Sequence, residues 1–531
     1  MNDEARMVQL GLVIAGLALL AGCTVGPGYH KPTIATPPAY SQAPTNAAPV
    51  STNQPDTLAR WWTVFEDPEL ESLIDRAMRN NRDLRQAASR VRQARAQRGV
   101  VAAGLLPEID ATAGFSDSRG SQNVSLPFGA GAASAATGGS GGAQKARVSP
   151  HRLQAAGGQS ARIPATAPLG GPESPLGLGG LPGAESDIYQ VGLQTSWEID
   201  VWGGTRRSIE AAWAEFAASE EGQRAARIAL LSEMATNYIA LRQAQERLQI
   251  ARDTEKAQGE TLAIIHARFT NGLSTELDYQ QQLAELAATR ATMPPLETRA
   301  SETRHALAFL IAADPASLDA ELAEPRRLPS PAPPPMGLPS DLLRRRPDVR
   351  QAERMVAAAN AQIGAATADL FPKFSLTGAV GMDSSRAENL IEWPSRYFAF
   401  SPGVSWPILD WGRIHNNIKV QDELHAQALL AYENTVALAV RQVEDALAAY
   451  GHELAHRADL ADAAEASRRA LELARGRYDK GLADFLTVLT SERSLLATQD
   501  SLAQSDAAIR SGLVKLYVAL GGGWEPSHSV K

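Results

Sequence analysis

The sequence predicts a mainly α-helical protein with a smaller β part, in which one unit of helix, strand pair and long helical hairpin occurs twice. Three observations predict this fold class. Short motifs recur at fixed offsets along the 531 residues, four short segments show a two-residue alternation, and two stretches of more than a hundred residues lack proline although the chain has 32. Because proline interrupts helices, such stretches favour helices of unusual length.

The duplication is visible in motifs that recur in the same order. Leu105-Leu106-Pro107 returns as Leu370-Phe371-Pro372, 265 positions later, and Trp202-Gly203 returns as Trp411-Gly412, 209 positions later. The chain therefore contains two copies of one unit, and the first carries 265 − 209 = 56 extra residues. The extra length falls in the stretch 119–185, which is rich in Gly, Ser, Pro and Ala and is predicted to be a mobile loop.

Composition and charge limit the functions that the chain can have. The apolar content is 44% but the aromatic content is only 6%, which is typical of an alanine-rich helical protein. A net charge of −8 offers no basic face for a phosphate backbone, so nucleic acid is not an expected partner. The nine histidines are scattered, and no nucleophile motif stands near a plausible base. We therefore expect neither an enzyme nor a bound metal or cofactor.

Each copy is predicted to open with a helix of about 30 residues, over 70–104 and 338–368, that ends at the Leu-Pro or Phe-Pro motif. Four segments with a period of two follow, and segments of roughly ten residues fit β-strands that cross a membrane. A four-stranded sheet in a soluble α+β domain is the alternative, since alternation alone supports both. The alternating residues are Ile109, Ala111, Ala113 and Phe115; Tyr189, Val191, Leu193, Thr195 and Trp197; Phe374, Leu376, Gly378 and Val380; and Phe398, Phe400, Pro402, Val404 and Trp406.

Four strands cannot close a membrane barrel, for which about eight is the smallest number. An open sheet edge in lipid leaves backbone groups unpaired at a cost of several kcal/mol each, so strands from several chains must be pooled. Two chains would supply eight strands, and three would supply twelve. Tryptophans at the strand ends suit a membrane-interface girdle. These tryptophans are Trp197, Trp202, Trp406 and Trp411.

The proline-free stretches predict helices of about 65 residues, which is roughly 100 Å of helix. In the second copy, apolar spacings that alternate between four and three indicate a heptad seam. An ordinary helical bundle would show the same seam, so the predicted length is what favours hairpins that span a compartment. The seam residues are Val436, Val440, Val443, Leu447, Tyr450 and Leu454, with Leu231, Met234, Tyr238 and Leu241 at the corresponding positions of the first copy.

Each long helix is predicted to reverse at a glycine-centred turn, since glycine supplies the left-handed backbone that ends a helix. Ser274 or Thr275 is expected to cap the first returning helix, and Asp484 the second. Strands then lie at one end of each unit and hairpin tips at the other. The turns are Asn271-Gly272-Leu273-Ser274 and Lys480-Gly481-Leu482-Ala483.

The single cysteine, Cys23, follows a run of apolar and small residues that is too short to span a bilayer and matches the core of a secretory signal. The sequence Leu20-Ala21-Gly22-Cys23 resembles a bacterial lipobox, in which the cysteine is lipidated and becomes the mature N-terminus. Thr24 in place of aspartate favours the outer membrane, by resemblance to bacterial sorting rules. A buried free thiol in a cytosolic helix is the alternative. One lipid anchor is marginal alone, so a second membrane element is expected.

These features together predict how the chain is divided. The expected segments are a lipoprotein signal peptide at 1–22, a lipid-anchored extended segment at 23–60, a first repeat at 61–318, a Pro-rich linker at 319–338, a second repeat at 339–523 and a C-terminal tail at 524–531.

The mature chain resembles the TolC-like outer-membrane efflux proteins over essentially its whole length. Within that family it is most similar to the lipoprotein branch that serves resistance-nodulation-division (RND) multidrug efflux pumps. The motifs that carry the resemblance are Cys23-Thr24-Val25-Gly26-Pro27, Trp61-Trp62 with Phe65 and Asp67-Pro68, Leu343-Arg344-Arg345-Arg346-Pro347-Asp348-Val349-Arg350, Phe371-Pro372, and Asp410-Trp411-Gly412.

The resemblance implies a homotrimer whose hairpins form a trimeric α-barrel and whose strands form a shared 12-stranded outer-membrane β-barrel. It implies a passive exit duct for drugs or other small molecules, fed through a periplasmic adaptor protein by an inner-membrane RND transporter. A type I secretion duct is an alternative, because the same duct could serve it. A lipid-anchored periplasmic coiled-coil scaffold is a further alternative.

The resemblance also implies roles for the two turns. Gly272, Leu273, Ser274, Gly481 and Leu482 match positions that contact the adaptor, whereas Ala483 replaces the hydroxyl residue usual in the family. The family narrows its periplasmic mouth with aspartates, and the matching positions here are two threonines. Two nearby acids are then the candidates to form the gate instead. The four gate candidates are Thr487, Thr490, Asp278 and Glu492.

Overall fold

The computed structural model describes residues 24–35, 37–41, 58–119, 185–329 and 341–524. The predicted lipidation site Cys23, nearly all of the predicted loop and the second part of the Pro-rich linker, 330–338, lie outside the described residues. The chain divides into two compact units. The helical unit comprises the segments up to Leu106, Glu198–Phe374 and from Val404 onward, and the β unit comprises Pro107–Trp197 and Ser375–Gly403.

In the described residues, the helical unit contains seven helices that are longer than ten residues. Both long outgoing helices have 67 residues, about 100 Å at 1.5 Å per residue, and both returning helices have 35. The predicted long hairpins are therefore present. The helices are α1 (Pro68–Asn80), α2 (Arg82–Ala103), α3 (Gly204–Thr270), α4 (Glu276–Leu310), α5 (Pro347–Ala368), α6 (Arg413–Asp479) and α7 (Phe485–Ala519), with shorter helical turns at Trp61–Phe65, Pro315–Leu318 and Leu342–Arg345.

The internal duplication is confirmed at the level of structure. Helices α2 and α5 both have 22 residues and begin 265 positions apart, as the sequence offset predicts. Helices α3 and α6, and likewise α4 and α7, have equal lengths and begin 209 positions apart. Side by side, α2 packs on α3, α3 on α5 and α5 on α6, while α4 and α7 fold back along the two long helices.

The prediction of one continuous opening helix in each copy is wrong, because each is broken near its start. Asn81 leaves the helical conformation (φ −54°, ψ 132°) between α1 and α2. Its side chain accepts from Leu84 N–H at 2.9 Å and donates to the Leu310 carbonyl at 2.9 Å. Arg346, at the equivalent position before Pro347, donates to the Ala519 carbonyl at 3.0 Å. Each break therefore ties the opening helix to the last residue of the returning helix in its own repeat.

Replacing Asn81 by alanine is expected to lower the free energy of unfolding by about 2 kcal/mol, because it removes a helix cap and leaves the buried Leu310 carbonyl without its donor. The neighbouring Asn80 is exposed and makes no such bonds, so Asn80→Ala is the matched control, with a change within about 0.5 kcal/mol. Thermal unfolding followed by circular dichroism at equal detergent concentration compares the two variants. Equal losses would contradict the proposed role of Asn81.

The larger apolar core lies where the hairpins meet the N-terminal turn Trp61–Phe65. The Trp61 ring is fully buried and stacks on Tyr517 of α7 at 5.6 Å. The heptad seam is buried in both copies over most of its predicted length. Leu454 is the exception, because its side chain is 43% exposed, so the seam of the second copy ends at Tyr450.

The N-terminal strap, residues 24–35 and 37–41, packs on helices of both repeats. Val25 N–H donates to the Trp202 carbonyl at 3.0 Å, and Arg207 donates to the Val25 and Gly26 carbonyls. Gly26 has φ +87°, and a Cβ there would lie 2.4 Å from the Gly364 Cα, so only glycine fits this approach. The residue after the predicted lipidation site is thereby held beside the start of α3.

The β unit is one four-stranded sheet with strand order β1-β2-β3-β4. Strands β1 and β2 pair with Ala111 opposite Leu193 and Phe115 opposite Tyr189, so the alternating residues share one face, as predicted. Many large apolar side chains on the strands are exposed in the single chain, including Phe398 at 87%. The strands are β1 (Glu108–Arg119), β2 (Glu185–Ile199), β3 (Lys373–Ser384) and β4 (Arg396–Ser405). Among the described helices, none combines the length and apolar character needed to cross a membrane.

Only one of the four girdle tryptophans, Trp197, lies within a strand. Trp202 donates to the Pro372 carbonyl at 2.8 Å and stacks on Phe371, so it also anchors the Phe-Pro motif of the second copy. Trp406 donates to the Leu370 carbonyl at 3.0 Å, and Trp411 is 88% exposed. Their role in a membrane girdle stays a prediction.

Candidate functional site

The first hairpin tip joins α3 to α4 through a backbone turn that is satisfied by its own hydrogen bonds. Gly272 has φ +72°, and its N–H donates to the Phe269 carbonyl at 2.9 Å. The Leu273 N–H donates to the Arg268 carbonyl at 2.8 Å, which completes a Schellman motif. The Leu273 side chain is 73% exposed. The tip therefore presents a leucine to solvent on a hydrogen-bonded turn.

The second tip repeats this geometry 209 positions later. Gly481 has φ +70°, its N–H donates to the Tyr478 carbonyl, and the Leu482 N–H donates to the Arg477 carbonyl, both at 2.9 Å. Leu482 is 65% exposed. No atom lies within 4 Å of where a Cβ on either tip glycine would stand, so the positive φ and not crowding requires glycine.

The tips differ in the position of their acid. In the first tip Thr275 caps α4, and Asp278 accepts from the Thr275 N–H at 3.1 Å, which forms a capping box. In the second tip Asp484 is the cap and accepts from the Thr487 hydroxyl at 2.5 Å and from its N–H at 3.1 Å. The bond from the Thr487 hydroxyl, reinforced by the one from its N–H, lowers the pKa of Asp484. Acid and threonine have thus exchanged places between the repeats.

The four gate candidates lie in different surroundings. Asp278 is half-buried and accepts from the Ser274 hydroxyl at 2.9 Å, while Thr487 and Thr490 are exposed. Glu492 is only 4% exposed and pairs with Arg475 across the second hairpin at 2.7 Å. Burial raises the pKa of Glu492, although the bond from Arg475 opposes this shift. Glu492 therefore faces the inside of its hairpin in the single chain, whereas the two threonines face solvent.

Contacts just behind the tips join the two hairpins to each other. Arg493 of α7 pairs with the buried Glu285 of α4 at 2.6 Å. The Arg268 guanidinium lies 4.9 Å from the centre of the Tyr478 ring, which connects α3 to α6. An apolar cluster lies at the same level. Its buried members are Ile265, Leu471, Ala474, Phe485, Val488 and Leu489.

The family model described as outer membrane efflux protein matches residues 73–313 and 338–522, which is most of the chain. The chain belongs to the outer membrane efflux protein family. This efflux protein is 32% identical over 530 residues to the outer membrane protein OprJ of Pseudomonas aeruginosa, covering 99% of this chain and 98% of OprJ. It is 29% identical to the probable outer membrane lipoprotein SilC of Salmonella typhimurium, covering 97% of this chain and 98% of SilC.

A solved structure of the outer-membrane channel OprN matches this efflux protein with a TM-score of 0.78 at 32% identity, covering 95% of this chain and all of the OprN chain. The predicted family, the mainly helical fold with a four-stranded sheet, and the outer-membrane location are therefore confirmed. The efflux protein is an outer-membrane channel component.

Both turns of the efflux protein follow from its sequence, whereas the contacts behind them do not. The Arg493–Glu285 pair joins residues 208 positions apart, and charged residues on a long helix ordinarily belong to its solvated face. One signal was available in principle, because Glu285 lies nine residues beyond the start of α4 and Arg493 lies eight beyond the start of α7. Residues at almost the same depth on two repeat-equivalent helices can meet when those helices are neighbours.

Proposed function

We propose that this efflux protein is one subunit of a homotrimeric exit duct that passes drugs or other small molecules across the outer membrane. A periplasmic adaptor docks on the hairpin tips and connects the duct to an inner-membrane RND transporter. The observation that carries the proposal is that the repeat leaves matching packing faces and sheet edges without partners in the part of the chain that the structure describes.

The first set of these surfaces is on the helices. The two repeats meet where α3 packs on α5, and a Cβ on Gly222 would lie 3.5 Å from the Gln351 side-chain amide. By the repeat offsets, α6 corresponds to α3 and α2 corresponds to α5. The equivalent of the contact between Gly222 and Gln351 is therefore a contact between Ala431 of α6 and Gln86 of α2. Both of these residues are exposed in the single chain. A second copy, with its α2 on the α6 of the first, completes this contact.

The second set of these surfaces is at the edges of the sheet. Strands β1 and β4 are the two edges of the described sheet, and their unpaired backbone groups could not remain in hydrocarbon. Pairing β4 of one copy with β1 of the next removes both edges, and three copies supply twelve strands around a closed barrel. The exposed apolar side chains, such as Phe398 and Val191, then face lipid.

The tips and the strap supply the remaining contacts. Leu273 and Leu482 are exposed apolar side chains on ordered turns, which is what an adaptor surface would bind. Ser274 and Ala483 make the two docking positions unequal. A diacylglycerol on Cys23 adds an outer-membrane lipid anchor beside Thr24, at the start of α3. Thr487, Thr490 and Asp278 are the residues we assign to the periplasmic gate, with Glu492 supporting the second hairpin from inside.

Conductance in planar bilayers tests the duct. We expect the wild-type protein to be nearly closed, because Arg493 holds α7 against α4. Arg493→Gln should raise the mean conductance roughly several-fold, since it removes the ion pair that holds α7 against α4. Arg290→Gln is the matched control, because the Arg290–Glu255 pair at 2.8 Å lies within the first hairpin. A complete lack of conductance from wild type and Arg493→Gln would favour the lipid-anchored scaffold.

A further inference from the structure

The loop between β3 and β4, residues 385–395, is ordered and carries large apolar side chains on its surface. The Ser395 hydroxyl donates to the Asn389 carbonyl at 2.7 Å, and the Arg396 guanidinium donates to the Trp393 carbonyl at 3.0 Å. Ile391 is 82% exposed and Trp393 is 77% exposed. Apolar side chains held in solvent by a hydrogen-bonded loop indicate a binding surface.

Between this loop and the strands lies an open notch of about 610 Å³. Leu390 and Ile391 form one wall, and Phe115, Tyr189 and Met382 form the rest with their neighbours on the strands. The Phe115 and Tyr189 rings are 4.6 Å apart, as expected for residues that are directly opposite in the β1–β2 pairing. Among the residues that the structure describes, no charged side chain lines this notch.

The polar side chains of the notch are few, and one of them is Tyr189, which carries a hydroxyl. The one amide side chain of the notch, Gln190, donates to the Tyr397 hydroxyl at 2.8 Å. A ligand with charges or many hydroxyl groups would find few partners there, whereas a hydrocarbon chain requires none. Ala113 and Val191, which also line the notch, are cross-strand partners on the face that carries Phe115 and Leu193. The notch is therefore continuous with the apolar face of the sheet.

We infer that this notch holds an acyl chain of a lipid in the outer leaflet of the membrane. The inference rests on the proposed function, in which that apolar face contacts lipid. The loop joins the strand ends that do not lead into helices, so it lies at the far rim of the sheet. Leu390 and Ile391 clamp one lipid chain against Phe115 and Tyr189. The partner is thus a membrane lipid and not a protein.

Native mass spectrometry of the purified channel tests the inference by counting retained lipids. Ala113→Trp fills the notch and should reduce the retained lipid at this site by about tenfold. Ala111→Trp, two residues earlier on the same face and not part of the notch, should retain the wild-type amount. Equal retention by Ala113→Trp and Ala111→Trp would overturn the inference.

A spin label in proteoliposomes separates this outcome from a failure of the proposed function. Labels at Ile391→Cys and Phe398→Cys should collide more with oxygen than with a water-soluble nickel complex. A label at Glu388→Cys, whose side chain is 74% exposed and does not line the notch, should show the reverse. If only the Phe398→Cys label reports lipid, the strands are in the membrane and the inference about the loop is wrong. If the Phe398→Cys label reports water, the proposed membrane barrel itself is wrong.

Discussion

The double variant Leu273→Asp with Leu482→Asp is expected to abolish efflux while leaving the channel folded and assembled. Both leucine side chains are largely exposed, at 73% and 65%. The backbone hydrogen bonds of each turn do not involve the leucine side chain. A charge at these positions costs nothing in the free protein but would have to be desolvated at an adaptor surface. Efflux should fall to the level of cells that lack the channel.

Accumulation of a fluorescent efflux substrate, in cells that depend on this channel, measures the effect. Phe309→Asp is the matched control, because Phe309 is also 65% exposed but lies at the other end of α4 from the tip. We expect the control to keep most of the wild-type efflux. Normal efflux in the double variant would show that the tips do not form the docking surface.

The replacement Arg242→Met is expected to be among the most destabilising single changes in the helical unit. The Arg242 guanidinium is 3% exposed and contacts the Glu69 carboxylate. It also donates to the Glu324 carbonyl at 2.7 Å and to the Tyr238 hydroxyl at 2.9 Å, and that hydroxyl donates to the buried Asp67. Removing the buried cation leaves two carboxylates with fewer partners, so we expect a loss of about 3–5 kcal/mol.

Arg327→Met provides the comparison for this change. Arg327 is 84% exposed, and its pair with Glu246 at 3.4 Å is at the surface, so its removal should cost less than about 1 kcal/mol. Chemical denaturation followed by helical circular dichroism compares both variants with wild type. A loss for Arg242→Met no greater than for Arg327→Met would mean that the buried network does not stabilise the junction between α1 and α3.

Local chemistry explains which parts of the fold could be predicted from the sequence. Gly272 and Gly481 could be placed in turns because few other residues adopt positive φ, and Thr275 and Asp484 have the short polar side chains that cap helices. The strands could be found because alternation assigns every second side chain to one face, which the pairing of Ala111 with Leu193 confirms. The repeat then doubled each of these signals.

The features that could not be predicted from the sequence depend on contacts between residues that are distant along the chain. Asn81 is an ordinary residue for the middle of a predicted helix, and the bond that fixes its break is made to Leu310, 229 positions away. Leu454 continues the heptad spacing but is exposed. Glu492 was a candidate for the gate, which requires a side chain that faces solvent, but its ion pair with Arg475 holds it inside the hairpin. None of these arrangements follows from spacing along a single helix.

The central claim is that copies of this chain assemble with α2 of one on α6 of the next, as α5 packs on α3 within a chain. A double variant with Gln86→Cys and Ala431→Cys tests it most directly, since Cys23 is the only native cysteine and is predicted to be lipidated. The control pair, Gly222→Cys with Gln351→Cys, occupies the equivalent contact inside one chain. Each single variant gives the background of random crosslinking.

Mild oxidation in membranes, followed by non-reducing electrophoresis, reads out the product. We predict that the Gln86→Cys/Ala431→Cys pair forms covalent dimers and trimers, that the control pair crosslinks without changing the number of chains in the band, and that single variants form neither trimers nor larger ladders. The account is contradicted if the control pair oxidises within the chain while the Gln86→Cys/Ala431→Cys pair yields only monomers.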